Sequence, residues 1–208
     1  MRQIAILVHM QQLSQNYRDD NINELPQEIR DYLDEHFLAQ LENLHAANPK
    51  LLVVFSGGSA VGKSSLSQRI QQELGALVLE NDSIKACILE RYPQLKKAEL
   101  NALTWQYSMD LYGKLGELTP NGLVVRDGVI DWYFDRILPV FESQGYQVFA
   151  IGYDVSSDKR KELIRQRGDK QTISVNRLVE LIEEQDQHID RFREEHSLDI
   201  VLTDDNMF

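Results

Sequence analysis

The sequence predicts an α/β protein: a five-stranded parallel sheet between two layers of helix. Three observations predict it. Apolar runs of strand length alternate with longer stretches in which apolar residues recur every three or four positions. The first clear run, Leu51-Leu52-Val53-Val54-Phe55, leads directly into a glycine-rich turn and then an amphipathic stretch. A chain of 208 residues is also long enough to bury a core of this kind in one domain.

Taken in order, residues 1–49 read as an N-terminal extension ahead of a domain spanning 50–208. Its apolar run, Ile4 to Val8, is too short to cross a membrane and has no convincing cleavage site after it. Asn16 to Glu24 is polar. From Pro26, the residues Ile29, Leu33, Phe37, Leu41 and Leu44 form one helical stripe, ended by Asn48-Pro49. The stripe packs on the domain or on a partner chain, so oligomerisation through this helix is an open reading. His36 and His45 lie on or near it without a second ligand at a metal-like spacing.

The first strand ends at Gly57-Gly58-Ser59-Ala60-Val61-Gly62-Lys63-Ser64-Ser65. Glycine, four free positions, then Gly-Lys-Ser is the phosphate-binding pattern called Walker A, and a strand before it with a helix after it is the context that supports the match. Glycines let successive backbone N–H groups turn towards a phosphate, and the following helix adds the positive end of its dipole. Lys63 would reach the β- and γ-phosphates, and the Ser64 hydroxyl would ligate Mg²⁺. The helix carries Leu66, Ile70 and Leu74 at spacing four and closes at Gly75.

Strand two, Ala76 to Glu80, runs out at Asn81-Asp82-Ser83-Ile84-Lys85. An acid at the carboxyl end of a sheet strand lies on the rim where open α/β sheets bind ligands, so Asp82 is a candidate general base; it also suits the N-cap of a helix from Ile84 to Arg91. Lys85, one turn on, is a candidate for an anionic substrate group. Tyr92-Pro93 breaks this helix, and a longer one follows on Leu100, Leu103, Tyr107, Leu111, Leu115 and Leu118, where Trp105, Tyr107 and Tyr112 read as core aromatics, with lining of an acceptor pocket as the alternative. Thr119-Pro120-Asn121-Gly122 is a turn. Strand three, Gly122 to Asp127, ends in an acid placed to hold Mg²⁺ with Ser64. The rim loop that follows offers Asp131 and Arg136 as substrate contacts. Pro139 reads as a first-turn residue of the next helix, Gly145 as its end, and Tyr146 to Tyr153 as strand four.

A basic segment then stands out in an acidic chain: Lys159, Arg160, Lys161, Arg165, Arg167 and Lys170. Arg165 and Arg167 precede a Gly-Asp break, a helix-to-loop junction suited to a lid over about 158–177 that brings guanidinium charge to a transferring phosphoryl group and excludes water. Ser174 caps one long helix with the stripe Val175, Leu178, Leu181, Ile182, Gln185, Ile189 and Phe192, and Asp199 to Thr203 is the fifth strand.

Lys plus Arg is 22 against 33 Asp plus Glu, a formal charge of −11, which argues against an extended nucleic-acid footprint. The single cysteine, Cys87, precludes an internal disulfide and fits a cytoplasmic protein; it reads as a small helix side chain, since no activating partner is evident. From about 50 to 204 the chain resembles the small P-loop kinases of the shikimate, gluconate and adenylate kinase type. Among these it is similar to the zeta-toxin, chloramphenicol phosphotransferase and polynucleotide kinase-like members. Gly57 to Ser64, Asp82 followed by Lys85, Asp127 and Arg165-Gln166-Arg167-Gly168-Asp169 carry the resemblance. It implies an acid after strand two acting as base for the acceptor hydroxyl, and lid arginines on phosphates. Lys85 stands where several of these families have arginine, and lysine lacks the bidentate fork. The expected activity is ATP- and Mg²⁺-dependent phosphoryl transfer to a hydroxyl of a small molecule, with Lys63, Asp82, Arg165 and Arg167 as catalytic residues. The alternatives are a toxin-like or nucleic-acid 5′-hydroxyl kinase, and a non-catalytic ATP-binding switch. A guanine-specifying Asn-Lys-x-Asp segment does not occur.

Overall fold

The computed structural model describes residues 50–118, 122–167 and 174–203, together with Gln27 and Asp31. Apart from Gln27 and Asp31, the amphipathic helix expected from Pro26 to Leu44 lies outside the described residues, as do the turn at Thr119 to Asn121 and the Gly168–Asp169 break of the expected lid. The described chain divides into two compact units, one of residues 50–79 with 122–203 and one of residues 80–118.

The larger unit holds the sheet. β1 (Leu51–Ser56) is its centre, flanked by β3 (Leu123–Val129) and β4 (Gln147–Asp154), with β2 (Leu77–Glu80) outside β3 and β5 (Ile200–Thr203) outside β4. All five strands are parallel and helices cover both faces, as the alternation of runs predicts. A central parallel strand is buried on both sides, which is why β1 reads as an unbroken apolar run rather than an alternating one. On one face Val53 and Phe55 join Val61, Val125, Ile151 and Tyr153 in a core against which Leu66 and Ile70 pack. These last two belong to α1 (Lys63–Leu74), capped at its end by Gly75 with φ 68° and its N–H donating to the Gln71 carbonyl. Leu74, expected on the same stripe, is the last residue of the helix and is 61% exposed.

Strand three differs from its expectation. Asp127 lies inside β3, not at its exit, because the strand runs on to Val129. The register shows how: Val53 pairs with Val125, but Phe55, two residues on, pairs with Val129, four residues on. Arg126, Asp127 and Gly128 therefore form a bulge, a device that re-aims a side chain without ending the strand. The next helix, α4 (Phe134–Glu142), buries Phe134, Ile137, Leu138 and Phe141, and Pro139 lies inside it rather than in its first turn.

After β4, Ser156 Oγ accepts the Lys159 N–H and starts α5 (Ser157–Arg167). Ser174 does cap a helix, accepting from the Arg177 N–H, but the long helix expected there is two: α6 (Val175–Glu180) and α7 (Ile182–Glu195). Leu181, at φ −81° and ψ −3°, interrupts it in the bridge region between the main allowed wells. Leu178 and Ile182, on either side, both pack on Ile164 of α5. One residue of altered ψ leaves apolar spacing intact, so periodicity alone is blind to the break.

The smaller unit is helical. α2 (Asn81–Arg91) buries Ile84 and Ile88, and α3 (Lys97–Leu118) buries Leu100, Leu103, Trp105, Tyr107, Leu111, Tyr112 and Leu115. Thr104 and Ser108 on α3 return their hydroxyls to the carbonyls of Leu100 and Thr104, both at 2.7 Å. Helix α2 starts earlier than expected. Glu80 is its N-cap residue, so Asp82 lies in the first turn, where a negative charge suits the helix dipole, and does not cap it.

Candidate active site

The loop from β1 to α1 folds around its own glycines. Gly57 has φ 145°, and a Cβ there would lie 2.8 Å from Cβ of Tyr153 on β4. Gly62 turns the chain into α1 at φ 92°, and Ala60 holds a left-handed conformation at φ 66° without glycine's freedom. Lys63, the first residue of α1, is buried. Its Nζ donates to the Gly57 carbonyl at 3.0 Å and to the Gly58 carbonyl. Ser64 and Ser65 follow on the exposed side of the helix start.

Two carboxylates come to this loop from the β3 side. Asp127, aimed by the bulge, is buried beside Ser64 and Ser67, with Lys63 and Arg126 close enough to act on its charge. Burial nevertheless prevails over these favourable partners and pushes its pKa above the ordinary carboxylate value. Asp131, just beyond β3 and 1% exposed, turns inward: its Oδ2 accepts the Gly57 N–H at 3.0 Å, while Oδ1 is buried without a hydrogen bond. Burial raises its pKa too, against lowering by Ser56, Gly57 and Lys63. The sequence offered Asp131 as a substrate contact, whereas its carboxylate is engaged with the loop's own backbone. Arg136 is exposed on the first turn of α4.

The helices α5 and α7 supply what the sequence reading missed. Arg160 of α5 is 2% exposed, and a Cβ added at Gly58 would fall 1.8 Å from its Nη1. Gly58 is thus glycine to admit a guanidinium. Arg160 Nη2 donates to Asp186 of α7, while its Nε and Nη1 are buried and have no partner. Next to Asp186, Gln185 clasps Ser59: its Oε1 accepts the Ser59 N–H and its Nε2 donates to Ser59 Oγ, each at 3.0 Å. Arg165, expected to carry the lid's charge, is exposed; five residues on from Arg160, it leaves α5 in a different direction. The side chain of Arg167 is outside the described residues. Signals for the missed pair were present: Arg160 stood in the basic run one turn before buried Ile164, and Gln185 was the one amide in an otherwise apolar stripe.

In the smaller unit, Asp82 is half exposed at the start of α2, and Lys85 Nζ pairs with its Oδ1 at 3.3 Å. Cys87 is partly buried, and burial with Glu90 pushes its thiol pKa up, away from a reactive thiolate.

A strand, a glycine loop ending in Gly-Lys-Ser at a helix start, and a buried carboxylate beside that serine define a P-loop nucleoside-triphosphatase fold of the kinase type. Residues 52–192 match the family model for the AAA domain, and the chain belongs to that family. Among solved structures it is similar to a chain of the PezAT chromosomal toxin–antitoxin system of Streptococcus pneumoniae, with a TM-score of 0.63 at 12% identity over 88% of this chain and 80% of that one. It is also similar to the AvrRxo1-ORF1:-ORF2 complex with ATP, with a TM-score of 0.54 at 16% identity over 85% of this chain and 62% of that one. A third is a Chloroflexus aurantiacus protein provisionally described as a kinase, with a TM-score of 0.50 at 18% identity over 74% of this chain and 83% of that one. A search of curated protein sequences returned no match.

Proposed function

We propose that the protein is an ATP-dependent phosphotransferase that moves a γ-phosphoryl group to a hydroxyl of a small molecule. One observation carries this reading above the others: a buried guanidinium, that of Arg160, lies against Gly58 of a glycine loop with its Nε and Nη1 donors unpartnered. Lys63 Nζ is held at the same loop by its carbonyls. Cations kept in a dry setting beside a ring of backbone N–H groups suit a polyanion, and their charge is worth most where phosphoryl charge is spread in the transition state.

In this reading the backbone of Gly58 to Ser65 cradles phosphates, and Lys63 exchanges its carbonyl partners for phosphate oxygens. Arg160 takes the role the sequence assigned to Arg165 and Arg167, either of which would add charge from a lid at about 158–177. Mg²⁺ fits the donor set: a serine hydroxyl on Ser64 and a carboxylate on Asp127, set beside each other, leave most positions of a hard octahedral ion to water and substrate. When bound, the ion supplies charge neutralisation across the phosphate chain. Asp131 holds Gly57 and so shapes the loop's entry. Asp82 is the candidate base that takes the acceptor's proton, supported by an exposed carboxylate two residues beyond β2; Lys85 and Arg136 are candidates for anionic groups of the acceptor.

The acceptor defines the test. A panel of sugars, nucleosides, nucleotide sugars and aminoalcohol antibiotics is offered with Mg²⁺ and ATP, with Lys63→Ala as blank. An acceptor that stimulates ATP consumption, and loses that stimulation in Asp82→Asn, supports the reading. If no acceptor stimulates turnover and Asp82→Asn leaves basal hydrolysis unchanged, an ATP-binding switch is favoured instead. Nucleic-acid 5′-hydroxyls join the panel as the acceptor of the alternative kinase reading. Among the described residues no helix is long and apolar enough to cross a membrane, and with one cysteine in the chain we place the protein in the cytoplasm.

A further inference from the structure

Gln185 and Asp186 are neighbours on α7, yet each grips a different part of the site. Gln185 holds both the N–H and the hydroxyl of Ser59. Asp186 Oδ1 accepts from Arg160 Nη2, and its Oδ2 accepts from Ser157 Oγ at 2.8 Å; that same hydroxyl accepts a longer bond, 3.4 Å, from Nη2. The guanidinium is thereby oriented through one nitrogen. Its other donors stay buried and unmatched, with Nη1 facing Gly58. A buried cation with open donors is costly by itself, and a second anion at those donors recovers the loss.

We propose that Gln185 and Asp186 are positioning residues for the phosphates of a nucleoside triphosphate. Asp186, braced by Ser157, fixes the Arg160 guanidinium against Gly58. Gln185 fixes the Ser59 limb of the loop. Both parts then meet the phosphate chain already aligned, so less ordering is paid at binding. Neither residue touches phosphate; each acts through its partner. The inference rests on the nucleotide site of the phosphotransferase reading and is independent of the acceptor.

The test measures binding of a non-hydrolysable imidotriphosphate analogue of ATP with Mg²⁺ to the full chain by calorimetry. Arg160→Ala should weaken binding roughly thirtyfold and Asp186→Ala about tenfold, the range of a lost charge-assisted hydrogen bond. The double variant should bind no more weakly than Arg160→Ala alone, and Asp186→Glu should recover part of the loss. Gln185→Leu should weaken binding several-fold and speed hydrogen exchange at the Ser59 amide. A purely structural role would lower thermal stability without this non-additivity in affinity. Should Asp186→Ala not fold, Asp186→Asn, which keeps the shape and loses the charge, carries the same cycle. Additive losses, or unchanged affinity in the Asp186 variants while Lys63→Ala abolishes binding, overturn the inference alone. Undiminished binding by Lys63→Ala overturns the nucleotide site itself, and the inference with it.

Discussion

Gly58→Ala gives the clearest probe of the clamp on the loop. The added Cβ would stand 1.8 Å from Arg160 Nη1 and 2.9 Å from both Arg160 Cζ and Gln185 Oε1. Ordinary contact begins near 3.4 Å, so the guanidinium must retreat by about 1.6 Å. Buried as it is, it cannot move that far and keep its bond to Asp186, and Gln185 must loosen its hold on Ser59. Losing the charged bond costs about 1.5–3 kcal/mol, and weakening the two neutral ones about 1 kcal/mol more. Against this, alanine narrows the unfolded ensemble by about 0.5 kcal/mol, since Gly58 does not hold a positive φ. A net destabilisation of about 2–3.5 kcal/mol follows. Urea unfolding followed by circular dichroism would read it. The decisive comparison is the same substitution in an Arg160→Ala background, where most of the penalty should vanish, and in Arg160→Ala/Gln185→Ala, where the remainder should go. A penalty of equal size in all three backgrounds would refute the claim that Arg160 is what makes residue 58 a glycine.

Asp131→Asn tests the buried carboxylate. Its folded pKa is raised above the ordinary value near 3.9, so between those two values the native state binds the extra proton, and ionisation costs stability as pH rises. The asparagine variant should melt higher than wild type at pH 7, with the gain shrinking as pH falls towards 4; a lower melting temperature at pH 7 would mean that Lys63 more than compensates the charge. Ile164→Ala empties the centre of the cluster with Leu178 and Ile182 and should cost about 2–4 kcal/mol in denaturant unfolding, with weaker nucleotide binding as Arg160 loses its support one turn away. Leu74→Gln, at an exposed position, should change stability by no more than about 0.5 kcal/mol; a larger loss would return Leu74 to the core.

Much of the architecture was legible in the chain because it rests on local rules. Unbroken apolar runs mark strands buried on both faces, and Gly57 to Ser64 after such a run marks a loop whose backbone must turn inward. The order of strands in the sheet was not legible, since β1 contacts β3 and β4 across long connections and no local pattern records which runs pair. The bulge at Asp127 escaped for a related reason: it is a mismatch of register with β1, a property of two strands together. The break at Leu181 escaped because apolar spacing continues through it.

At the site, the loop, its lysine and serine, and the presence of acids near strand ends are readable locally, because each is set by neighbours in the chain. Long-range packing is what brings Arg160 to the loop, has Gln185 clasp Ser59 from 126 residues away, and turns Asp131 inward to Gly57. A basic run lists which residues carry charge. Which of them is buried depends on how α5 is rotated against the loop and α7, and that rotation is set by Ile164 packing on Leu178 and Ile182.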